Sequence, residues 1–85
     1  MDLKDTIEMM QSNDYKERFK AEYYQTKIRY EKLKRFNTRI EASEGAPVEM
    51  PKHDCPGGLL RSQQRAMGEY LHLLEVRAVI EKIDL

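Results

Sequence analysis

Residues 15–42 read YKERFKAEYYQTKIRYEKLKRFNTRIEA, and their pattern decides the fold. The stretch holds neither Gly nor Pro, so nothing in it interrupts a helix. Phe19, Tyr23, Thr26, Tyr30, Leu33, Phe36 or Asn37, and Ile40 follow one another at alternating spacings of four and three. Such a row is the seam of a helix that lies nearly parallel to another. At about 1.5 Å per residue the segment spans about 40 Å. Asp14 followed by Glu17 has the form of a capping box, which starts this helix at Tyr15.

Upstream, residues 1–12 form a short helix with Leu3, Ile7 and Met10 on one face, and Ser12, Asn13 and Asp14 break it. Downstream, Gly45, Pro47, Pro51, Pro56, Gly57 and Gly58 make residues 43–58 a loop, long enough to be functional or mobile. The last helix covers residues 59–83 and carries two apolar rows. One is Leu60, Met67, Leu71, Leu74 and Ala78; the other is Leu59, Ala66, Tyr70, Leu73 and Ile80. One row suffices to pack on the long helix, and exposing the second would leave a large apolar patch. The expected fold is therefore all-α: one domain over residues 1–85, with a short N-terminal helix and a long antiparallel helical hairpin. It is expected to assemble as a homo-oligomer through Met67, Tyr70, Leu71 and Leu74 of the last helix. Ala66 and Gly68 would let a second helix approach closely.

The composition excludes several classes. The chain has 85 residues, 40% hydrophobic and 35% charged, which is too apolar for disorder and too short for more than one domain. Cys55 is the single cysteine, so no internal disulfide forms, and a reducing compartment is expected. No apolar run is long enough for a membrane span, and residues 1–12 lack the apolar core of a signal peptide. A cytoplasmic protein without membrane contact is the expectation. The net charge is zero but unevenly divided: −3 over residues 1–14, +6 over 15–40, −3 over 41–58 and zero over 59–85. The basic stretch is either a solvated helix face or the place for an anionic ligand.

Groups for catalysis are scarce. Gly-rich phosphate loops are missing, and Glu22 and Glu31 stand too far apart for an acid/base pair. His53, Asp54 and Cys55 are adjacent, without the spacing of a zinc site, so no metal or cofactor is expected. His72 lies within the apolar rows and reads as a packed or interfacial histidine. The sequence does not read as an enzyme. What remains is aromatic residues among basic ones, a mixture that suits nucleotides. Phe19, Tyr23 and Tyr30 sit on the seam and read as core. Tyr15 and Tyr24 lie off it, and Tyr24 shares a patch with Lys20 and Lys27 through spacings of four and three.

The pattern Leu59-Leu60-x-x-Gln63-x-x-x-Met67-x-x-Tyr70-x-x-x-Leu74-x-x-Arg77, after a long basic helix and a loop, resembles a family of small phage proteins. These share a helical hairpin domain found in nucleotide sponges that counter the CBASS and Thoeris bacterial defence systems. The short amino-terminal helix resembles the anti-CBASS branch. The resemblance implies a compact oligomer, typically hexameric, that sequesters cyclic oligonucleotides or cyclic ADP-ribose signals without cleaving them. It implies that Tyr15 or Tyr24 stacks on a base and Lys20 or Lys27 meets a phosphate, with Arg18 and Arg61 as further ligand contacts. The 43–58 loop is longer and richer in proline than in the simplest members.

Two other readings belong to different classes. The chain could be an oligomeric helical adaptor for a host protein, its basic stretch serving solubility. It could also bind RNA or single-stranded DNA through that stretch, although zero net charge and no RNA-binding signature make nucleic acid an unlikely partner.

Overall fold

The computed structural model describes residues 1–85 and contains only helices. A 3-10 turn over Leu3–Thr6 runs into α1 (Ile7–Met10); α2 (Tyr15–Gly45) and α3 (Gly57–Glu81) follow. Asp14 is the N-cap of α2, its Oδ1 accepting from the Lys16 amide at 3.0 Å. Glu17 does not complete the expected capping box. The Asp14 amide instead donates to Ser12 Oγ at 3.1 Å, and the Glu17 carboxylate pairs with Lys20 Nζ at 3.3 Å. Ser12, only two residues upstream, supplies the nearer acceptor.

α2 runs to Gly45, past the expected end at Ala42. Ser43 and Glu44 do not bar a helix, and Ser43 Oγ donates back to the Ile40 carbonyl at 2.6 Å. The stop comes at Ala46, extended at φ −152° and ψ 161°, because the ring of Pro47 excludes helical dihedrals at the residue before it. α3 opens directly after Pro56, since amides of a first turn need no carbonyl partner and Gly57 and Gly58 are tolerated there. The connection is thereby shortened to residues 46–56. It is held to α2 where His53 meets the Phe36 ring edge-on, and Pro51 is buried. At the far end Lys82 takes the left-handed conformation, φ 59°, and the Ile83 amide closes on the Ala78 carbonyl at 2.8 Å.

Cross-helix partners run in opposite order along α2 and α3. Tyr15 bonds Glu81, Tyr23 bonds Glu75, Tyr70 bonds Glu22, and Asn37 bonds the Leu60 carbonyl and Gln64. The core between them is Phe19, Tyr23, Leu71, Leu74, Ala78 and Ile83, with Tyr24 and Tyr30 packed on it. This corrects the assignment of Leu71 and Leu74 to an oligomer interface. A helix turns about 100° per residue, so only one of its two rows can face α2. The row that does so holds Leu71, Leu74 and Ala78, and Leu74 is only 2% exposed. Met67 is half-buried, and Tyr70 lies on the exposed side. The other row stays open, with Leu59, Tyr70, Leu73 and Ile80 exposed, and Val76 and Val79 beside it also face solvent, Val79 at 79%.

The N-terminal segment docks on a different face of α2. Thr6 is fully buried; its hydroxyl donates to the Leu3 carbonyl at 2.6 Å and accepts from Gln25 Nε2 at 2.9 Å. Arg18 Nη1 donates to the Ser12 carbonyl at 2.7 Å, and buried Ala21 shares a face with Arg18 and Gln25.

Candidate functional site

Beside the core, α2 presents Tyr30, Lys34, Asn37 and Glu41 at spacings of four, three and four, all on one stripe. α3 answers with Arg61, Gln64, Arg65 and Gly68, and the two stripes wall an open groove of about 1030 Å³. That volume lies at the upper end of the range for small-molecule sites. Gly68 shapes its floor: a Cβ there would lie 3.2 Å from Cε1 of Tyr30, so the missing side chain admits the ring. At the loop end, a Cβ on Gly57 would meet Arg61 Nη1 at 3.2 Å, so that glycine leaves room for the guanidinium.

The groove's electrostatics are distinctive. Lys34, Arg61 and Arg65 face two carboxylates, Glu41 and Glu69. The chain's salt bridges are Lys20–Glu17 and Arg77–Glu81, so none of the three groove cations is paired. Asn37 stands between the helices, more than nine-tenths buried, with its Oδ1 lacking any hydrogen-bond partner. His72 is exposed at the groove's edge, so of its two expected readings, packed or interfacial, it is not packed within this chain. No three His, Cys, Asp or Glu side chains converge in a way that could hold a metal ion.

The six residues singled out as ligand contacts are distributed along the molecule. Tyr15 donates its hydroxyl to Glu81 at 3.1 Å, and that bond raises its pKa. Arg77 beside Glu81 holds that carboxyl below its usual range. Arg18 braces the turn before α2, and Lys20 is paired with Glu17. Tyr24 is half-buried, edge-on to Tyr23 at 5.2 Å between centroids, and Lys27 lies 5.8 Å from the Tyr23 ring centre. Tyr24 and Lys27 do share one recess, together with Lys32 and Arg35. Arg61 alone of the six lines the large groove. Arg61 and the Glu81 partner of Tyr15 stand twenty residues apart on α3, about 30 Å. One small ligand does not touch both.

Lys34, Asn37, Gln64 and Arg65 were not singled out from the sequence. A signal was present: Asn37 occupies a seam position, where a polar side chain needs a partner across the interface. Chemically, the groove offers three unpaired cations, two carboxylates and a flat aromatic ring. No curated protein and no solved structure matches the chain. Residues 13–80 match the profile of the Sequestin family, so the chain belongs to that family, whose name fits a sequestering, nucleotide-sponge-type anti-defence protein.

Proposed function

We propose that this protein binds and sequesters cyclic nucleotide immune signals, cyclic oligonucleotides or cyclic ADP-ribose species, on behalf of a phage and without cleaving them. The family match over residues 13–80 carries the reading. Unpaired Lys34, Arg61 and Arg65 beside the Tyr30 ring support it, because free cations and an aromatic surface suit phosphates and bases. Sequestration needs only affinity and copy number. The hairpin self-associates through the open side of α3, where exposed Leu73, Val76, Val79 and Ile80 cluster as an apolar surface. Tyr24 and Lys27 form a second, smaller recess for ligand.

Native mass spectrometry tests this reading with a panel of cyclic di- and trinucleotides and cyclic ADP-ribose isomers. The expected result is an oligomer that gains intact ligand masses and yields no product masses. An oligomer that gains none of them refutes the sponge. The open apolar row also fits an adaptor that binds a host protein, and that same null result would favour it.

A further inference from the structure

His72 stands where two recesses meet. With Tyr30 and Gly68 it lines both the large groove and a smaller recess of about 210 Å³ between the same two helices. Helical side chains lean toward the preceding turn, and the turn before His72 carries Gly68, which has no side chain of its own to fill that space. His72 takes part in neither of the chain's salt bridges. The charges that share these recesses with it come from α2 and α3, and they cancel. In the large groove Lys34, Arg61 and Arg65 outnumber Glu41 and Glu69, a net +1. In the smaller recess Lys27 stands against Glu31 and Glu75, a net −1. Tyr23 and Tyr30 add no charge, since a tyrosine keeps its proton at neutral pH. No residue of the N-terminal segment or the loop lines either recess. The joined space is therefore neutral while His72 is neutral, and one proton on His72 makes it cationic. Histidine is the side chain whose ordinary charge change falls between pH 5 and 8. The only other histidine, His53, lies on the loop, its Nδ1 at 2.8 Å from the Pro51 carbonyl and its ring edge-on to Phe36.

We infer that His72 makes ligand capture pH-dependent: its protonation turns the joined recesses cationic and tightens their hold on phosphates. This rests on the sponge reading and adds the regulation of that site. A ligand that binds the protonated form better also draws a proton onto His72 as it binds, because the two equilibria are linked. Affinity for a phosphodiester ligand therefore rises as pH falls from 8 to 5.5. Cyclic di- and trinucleotides keep one negative charge per phosphodiester over that range, so the ligand contributes no titration of its own. Stopping at pH 5.5 keeps the measurement above the ordinary carboxylate range.

Isothermal titration calorimetry tests the inference with cyclic di- and trinucleotides of adenine and guanine at pH 5.5 and pH 8. Binding is expected to be about 5-fold tighter at pH 5.5, the worth of one unit charge about 4 Å from a phosphate in a water-like dielectric. At pH 6.5, buffers of different ionisation enthalpy should reveal proton uptake on binding. His72→Gln, its fold checked by circular dichroism, is expected to bind equally at the two pH values, and His53→Gln to keep the wild-type difference. If His72→Gln does not fold, the ring proton signals of His72 in the wild type decide; they should titrate at a higher pH with nucleotide bound than without. Equal wild-type affinity at both pH values, a difference that survives His72→Gln, or His72 signals that titrate alike with and without nucleotide overturns the inference and leaves the sponge reading standing. Failure of the wild type to bind these nucleotides or cyclic ADP-ribose at either pH overturns both.

Discussion

Tyr23 ties the core to pH in a way that can be measured. It is 5% exposed and donates its hydroxyl to Glu75 at 2.6 Å. Burial first, and then that hydrogen bond and the Glu75 charge, push its pKa up to about 12. An unfolded chain releases the same proton near pH 10. Below pH 10 both states keep it and the stabilisation is complete. Between pH 10 and 12 the unfolded state loses it first, so stability falls as pH rises. Two units at about 1.36 kcal/mol each put the full loss near 2.7 kcal/mol, complete only above pH 12. Tyr23→Phe removes both the hydrogen bond, about 1 kcal/mol at neutral pH, and the titration. Urea denaturation of both proteins from pH 7 to 11.5 is the assay. Tyr15 and Tyr70, whose pKa values are also raised, occur in both and cancel in the difference. The wild type should lead by about 1 kcal/mol at pH 7, and the lead should close near pH 11 as one unit's worth of stabilisation is lost. A gap that stays constant across the range would refute this account of the buried hydroxyl.

Three further substitutions probe the frame. Leu74→Ala, at 2% exposure in the middle of the α2–α3 core, should cost about 2–5 kcal/mol in chemical denaturation. A loss under about 1 kcal/mol would mean that Leu74 is not a core residue. Lys82→Gly relieves a side chain held at φ 59° and should stabilise by about 1 kcal/mol, raising the melting temperature by about 4–8 °C; an unchanged melt would argue against the left-handed cap. Gly68→Ala sets a gain of about 1 kcal/mol in helix propensity against a 3.2 Å approach to Tyr30. The Tyr30 ring borders open groove and can give by tenths of an ångström, so the net effect should be stabilising; a destabilised variant would show the ring to be fixed.

The helices were readable in the sequence because their causes are local. The uninterrupted run from Tyr15, the Asp14 cap and the proline-rich break act within a few residues, and they place α2 and α3 to within three residues of where they lie. The ends shifted for reasons equally local but easily overlooked: Pro47 acts on Ala46, and Gly57 and Gly58 are harmless in a first turn. The site was a different matter. Helical spacing put Lys20 in a patch with Tyr24, and the resemblance offered Arg18 and Tyr15 as ligand contacts; in the fold Lys20 pairs with Glu17, Arg18 with the Ser12 carbonyl, and Tyr15 with Glu81, sixty-six residues away. Periodicity showed two apolar rows on the last helix and could not say which would face α2, because both have the right spacing. Packing against Phe19 and Tyr23 made that choice, drawing Leu71 and Leu74 inward and leaving Val79 and Ile80 in solvent. The same rotation of α3 set Gln64 against Asn37, Gly68 against Tyr30, and Arg61 and Arg65 along the groove. Helix formation depends on neighbours in the chain, whereas an unpaired acceptor beside unpaired cations arises only when two distant segments meet at one angle and one register.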